Sequence, residues 1–135
     1  FWLQSPTIGC DLDPGVAGIE NDIMESLHPG EIIGQTNHYG GYGDDHQKLG
    51  AKRFLIKNNP YEEYNTYGLE WTEDEYIFYI NGVETRRTSF GNGVSEVPED
   101  VIVSLEIPDE AELAELDKDT YKTEFIVDYV RIYQK

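Results

Sequence analysis

Apolar residues along this chain fall in short runs that alternate with polar ones, the period-two spacing of strands whose side chains point to opposite faces in turn. Such runs predict strands at 1–4, 17–26, 32–39, 52–58, 64–71, 75–81, 83–89, 101–107 and 124–134. Gly, Pro, Asn and Asp break the chain between them, with no internal repeat or low-complexity linker, and short strands at regular spacing predict an all-β sandwich or barrel. The sharpest local signal is Tyr76-Ile-Phe-Tyr-Ile80, then Asn81-Gly82, then Val83-Glu-Thr-Arg-Arg-Thr88. Asn-Gly supplies the two positive φ values of a type I′ turn, so this stretch predicts a tight hairpin. Cys10 to Gly15 reads as a loop, and the glycine-rich Gly40-Gly-Tyr-Gly-Asp-Asp-His46 as a second loop bordering the working face. One segment departs from the pattern: 108–119, rich in Ala, Leu and Glu, predicts a short helix.

Length and charge narrow the classes. The chain's 135 residues make one domain. Phe1-Trp2-Leu3-Gln4 reads as the middle of an apolar strand, so the expectation is the C-terminal portion of a longer domain, a single partial β-sandwich over 1–135. The net charge of −17 argues against nucleic acid and anionic membrane surfaces as partners, since both reward Lys and Arg, and favours a neutral partner. Cys10 is alone and cannot form an internal disulfide. No apolar run approaches the ~20 residues that span a bilayer, so a soluble chain is expected.

Candidate chemistry sits in Gly18-Ile-Glu-Asn-Asp-Ile-Met-Glu-Ser26, which carries Glu20, Asp22 and Glu25 in strand-like sequence. Glu20 and Asp22 share a face; a regular strand would turn Glu25 to the other one. One extra residue at Ile23-Met24, a β-bulge, would line up all three. A retaining glycosidase needs such a set, one carboxylate to attack the sugar and one acid to protonate the departing oxygen. About a fifth of the chain is acidic, and the same spacing recurs at Glu110, Glu112 and Glu115. On the helix predicted there, those acids would spread around the axis instead of converging.

Further segments carry a resemblance. Ile19 to Glu25, Asn37-His-Tyr-Gly-Gly-Tyr-Gly43, Tyr64-Asn-Thr-Tyr-Gly-Leu-Glu-Trp-Thr72 with its Asn81-Gly82 hairpin, and Val127-Asp-Tyr-Val-Arg-Ile-Tyr133 together resemble the family 16 glycoside hydrolases, in particular their laminarinase-like group. The resemblance implies a jelly-roll sandwich of two curved antiparallel sheets, with N-terminal strands lacking. It also implies endo-hydrolysis of a β-1,3- or mixed-linked glucan with retention, secretion, and no cofactor for catalysis. Residue by residue, Glu20 matches the nucleophile, Glu25 the general acid/base and Asp22 the aspartate between them. Glu25 must then hold a proton near neutral pH, which needs a pKa raised by burial and neighbouring charge. Retention brings the carboxyl groups to about 5–5.5 Å, whereas four regular strand steps span about 13 Å, so a concave sheet is part of the expectation.

The same resemblance places His38 in the cleft, with a surface histidine as the alternative. Trp2 is either a sugar-stacking platform or core, and Trp71, within an alternating strand, reads as core. Asp128 matches an aspartate that helps bind a structural calcium ion in the family, although one Asp cannot supply the six to eight oxygens of such a site. Asn21 stands where the family usually carries an apolar residue, and alternation points it into the core, where an unpartnered amide costs about 1–3 kcal/mol. Acidic residues 110–119 stand where family members commonly carry Trp and Gly, and the family domain is usually close to twice this length. Two alternatives stay open: a non-catalytic, lectin-like carbohydrate-binding sandwich, and a fragment that needs its missing strands to fold.

Overall fold

A computed structural model describes residues 1–26, 32–89, 94–106, 120 and 122–134. It divides into a unit spanning Phe1–Val103 and a second spanning Ser104–Lys135. The first is built from β1 (Trp2–Gln4), α1 (Pro14–Ala17), β2 (Glu20–Glu25), β3 (Ile32–Tyr39), β4 (Gln47–Leu55), β5 (Tyr67–Trp71), β6 (Tyr76–Ile80), β7 (Val83–Thr88) and β8 (Asp100–Ile102). These strands form a five-stranded sheet in the order β4-β3-β2-β1-β8 and a three-stranded sheet in the order β5-β6-β7, antiparallel throughout. This is the all-β sandwich that the alternation predicts, consistent with a jelly roll.

The core shows why alternation works as a signal. β6 turns Tyr76, Phe78 and Ile80 inward, all nearly without solvent contact. They meet Ile19, which immediately precedes β2, and Ile23 and Ile33 from the five-stranded sheet, with Val94 and Ile56 completing two clusters. Each fully buried side chain of this size contributes about 1.5–3 kcal/mol relative to exposure. The hairpin forms as predicted: Asn81 and Gly82 adopt φ of 51° and 75°, and the Asn81 side chain accepts from Thr66 N at 2.9 Å, tying the turn to the strand beside it.

Several boundaries differ from the pattern, for local reasons. The strand predicted from residue 17 begins at Glu20, because Asp13-Pro14 starts one helical turn. Asp13 caps that turn by accepting from Gly15 N at 2.9 Å, and Pro14 takes the first helical position, where a missing N–H costs nothing. β4 begins at Gln47 and not at 52, since His46 N closes a turn on Gly43 O at 3.1 Å and the chain enters pairing at once. Residues 124–134, predicted as a strand, are exposed and form no ladder among the described residues. A strand draws its stability from a neighbour, so alternation alone did not decide this segment. The predicted helix at 108–119 lies outside the described residues. No helix among the described residues is long and apolar enough to cross a membrane.

Candidate active site

The acids lie on β2, the central strand of the larger sheet. Cross-strand register puts Gln4 opposite Glu20 and Trp2 opposite Asp22 on one side, and His38 opposite Glu20 and Thr36 opposite Asp22 on the other. Residues paired this way share a face, so one surface collects Trp2, Gln4, Glu20, Asp22, Thr36 and His38.

Glu25 joins that surface through a bulge. Asp22 pairs with Thr36 and Glu25 with Gly34, so β2 advances three residues while β3 advances two. On the other side, Phe1 O accepts from both Ile23 N and Met24 N at 3.0 Å, two residues against one. The phase shift returns Glu25 to the face of Asp22, where Thr36 Oγ1 lies 3.4 Å from Glu25 Oε2. Its register partner is Gly34, and a β-carbon there would sit 3.5 Å from both Glu25 Cβ and Oε2, so the absent side chain leaves Glu25 room to lie across β3.

Electrostatics separate the roles. Burial, then the Asp22 charge, raises the Glu25 carboxyl above the ordinary carboxylate range, while His38 and Thr36 pull it partly back. Glu20 Oε2 accepts from Gln4 Nε2 at 2.9 Å and from the Tyr42 hydroxyl. Burial, then the Glu20 carboxylate, raises the Tyr42 phenol, keeping it a donor. His38 Nε2 lies 3.2 Å from Asp22 Oδ2, an ion-pair contact and not an aligned hydrogen bond, since that oxygen accepts none from the described residues. The Asp22 contact raises His38 against the opposing effect of burial. On its other nitrogen, His38 Nδ1 meets His46 Nε2 at 2.7 Å, and the two rings stack with centroids 5.0 Å apart.

A polar layer lies beneath this surface, on the inward face of the same strands. Asn21, fully buried, is not stranded: its Oδ1 accepts from Asn37 Nδ2 at 2.6 Å and its Nδ2 donates to Glu99 Oε2 at 2.8 Å. Glu99 Oε1 accepts from Ile19 N at 3.3 Å, and Arg86, reaching across from β7, donates to Asn37 Oδ1 and to Leu49 O, the latter at 3.0 Å. A carboxylate and a guanidinium thus close the two ends of an amide pair that spans β2 and β3. Beside it, buried Gln35 donates to Ile23 O at 3.2 Å, holding the bulge from below, and accepts from Thr85 Oγ1 at 2.7 Å. The cost expected of a buried Asn21 amide is removed by partners that sequence reasoning did not identify.

The chain matches the family model for glycosyl hydrolases family 16 over residues 18–130. It belongs to that family. Among family-related proteins, xyloglucan endotransglucosylase/hydrolase protein 3 of Arabidopsis thaliana is 41% identical over 44 residues, covering 33% of this chain and 15% of that protein. The aligned stretch is therefore a small part of that relative's length. No solved structure matches the chain.

Within this family 16 domain, the structure brings together Glu20, Asp22, Glu25, His38 and the half-buried Trp2, which register places on the acid face instead of in the core. Glu20, Asp22 and His38 offer polar atoms within 4.8 Å of one another. Asp128 is exposed on the 122–134 segment and joins no compact group of carboxylate or histidine donors among the described residues. Trp71, read as core, is 37% exposed and leans on Tyr76 with ring centroids 5.9 Å apart. Tyr42, His46, Gln35 and Glu99 were not identified from sequence. The one signal for the first two was the composition of the 40–46 loop, which marks a surface turn but not which side chains it delivers.

Proposed function

We propose that this chain hydrolyses a β-linked glucan, β-1,3- or mixed-linked, with retention of configuration at the cleaved sugar. Glu25 gives its proton to the departing glycosidic oxygen while Glu20 attacks the anomeric carbon, forming a glycosyl ester. Water, deprotonated by Glu25, then cleaves that ester and restores the Glu20 carboxylate. Asp22, held by His38, keeps negative charge beside Glu25 and so favours its protonated form before the first step. Trp2 offers an apolar face on which a sugar ring can stack, and a secreted protein acting on a neutral polysaccharide fits the chain's acidity.

The observation that carries this reading is the one-residue bulge between Asp22 and Glu25, which aligns an acid of raised pKa with a carboxylate already held by donors. A lectin-like module has no need for that alignment. The relative named above favours a second substrate, xyloglucan, and transfer to a sugar acceptor in place of water. Reducing-sugar release from laminarin, lichenan and xyloglucan, with Glu20→Gln as control and NMR of the first anomer formed, tests the proposal. Glu20-dependent release of the β-anomer supports it. Binding without release sinks it in favour of a binding module, and product only when xyloglucan oligosaccharide is added as acceptor moves the assignment to transfer.

A further inference from the structure

The 40–46 loop does more than border the face. Gly40 and Gly41 both adopt φ of 74°, and a β-carbon would fall 2.5 Å from Asp45 O at Gly40 and 3.0 Å from Gly9 Cα at Gly41. Only glycine fits a turn this tight, and the turn swings Tyr42 back over β2. There its hydroxyl donates to Glu20 Oε2 while accepting from Gln4 Nε2, so Gln4 and Tyr42 both direct donors at the same carboxylate oxygen. Glu20 Oε1 accepts no hydrogen bond from a described residue.

We propose that Tyr42 is a catalytic residue that assigns the two oxygens of Glu20, leaving Oε1 to attack and stabilising Oε2 when the carboxylate departs. The inference rests on reading Glu20 as the nucleophile. In the first step the Oε1–carbon bond forms, the bond to the departing oxygen breaks with a proton from Glu25, and Oε2 becomes the carbonyl oxygen of the ester. In the second step water forms its bond to the anomeric carbon and gives its proton to Glu25. The Oε1–carbon bond breaks and its electron pair returns to the carboxylate. Charge reappears on Glu20 in that step alone, and hydrogen bonds to a charged acceptor are worth more than those to a neutral ester. The donors on Oε2 therefore favour the breakdown of the intermediate over its formation. Partial burial of the phenol, then the Glu20 carboxylate beside it, keeps Tyr42 protonated for this task although much of the ring is exposed.

The test is Tyr42→Phe on an aryl β-glucan oligosaccharide whose activated leaving group makes the first step fast. The expected result is a kcat lowered by about 10- to 100-fold, the worth of one hydrogen bond to a charged group. KM falls alongside it, with a pre-steady-state burst and a glycosyl adduct on Glu20 in the intact mass. Tyr42 is 58% exposed, so the melting temperature should hold, and Gln4→Met, which removes the other donor on the same oxygen, should give the same adduct. Wild-type kcat and KM overturn the proposal, as does a loss of kcat/KM with no adduct, which would mark a contact to substrate instead. If Glu20→Gln retains full activity, the nucleophile reading falls and takes this one with it; if that variant is dead while Tyr42→Phe is unchanged, only this inference falls.

Discussion

Replacing Glu99 by glutamine should make the protein more stable in neutral and alkaline solution while leaving it unchanged in acid. Burial pushes the Glu99 carboxyl up to about 7, against the opposing pull of Asn21, Ile19 N and Ser95. The folded protein then binds a proton more readily than the unfolded chain, whose carboxyl titrates near 4.5. Between those values the native state holds the extra proton, so this group's contribution to stability falls as pH rises through the window and is fully lost above it. A shift of some two and a half pH units is worth about 3 kcal/mol at 1.36 kcal/mol per unit. A glutamine side chain at this position resembles the protonated acid in shape and in having one strong acceptor oxygen, so the two proteins should match near pH 4.5. From there their curves should separate, reaching about 3 kcal/mol in favour of Glu99→Gln about two units above the Glu99 pKa. Urea unfolding at half-unit pH intervals measures this, and the difference between the two proteins removes the background of the other acidic residues. Parallel curves across the window would refute the reasoning, and a variant that loses stability with rising pH would show that the hydrogen bonds to the carboxylate outweigh its burial.

Gln35→Leu keeps the volume but strands Ile23 O at the bulge, and should cost about 1–3 kcal/mol in denaturant unfolding with an unchanged slope. Gly34→Ala places a methyl at ordinary contact with Glu25 and should be tolerated. Gly34→Val drives further methyls into the carboxyl and should lower kcat/KM by about 100-fold at nearly constant melting temperature, as expected for a displaced catalytic group. His38→Gln removes a charge that lowers the Glu25 pKa and frees Asp22, which raises it. The alkaline limb of the pH-rate profile should therefore move to higher pH, and a limb that stays in place would separate His38 from the proton on Glu25.

Much of the frame was legible because its causes are local. Alternating side chains mark most of the strands, Asn81-Gly82 carries its turn in two residues, and the spacing of Glu20, Asp22 and Glu25 demands an extra residue between the last two, which the structure supplies. What failed also has a physical source. Asp13-Pro14 outweighs β-pattern for one turn, and 124–134 has the alternation of a strand but no ladder among the described residues, since pattern states which faces a strand would offer and not what receives them.

The sequence by itself determined the acids, their order and the geometric condition for them to act together. Tertiary structure decided how that condition is met. The bulge is held by Phe1 O and Gln35, Asn21 finds Glu99 78 residues away, and Asn37 finds Arg86 49 residues away. Tyr42 reaches Glu20 across a glycine turn, and His46 reaches His38. Each of these contacts joins residues that only strand register, loop closure and the face-to-face packing of two sheets bring within hydrogen-bonding distance, and none of these is written in the local run of side chains around them.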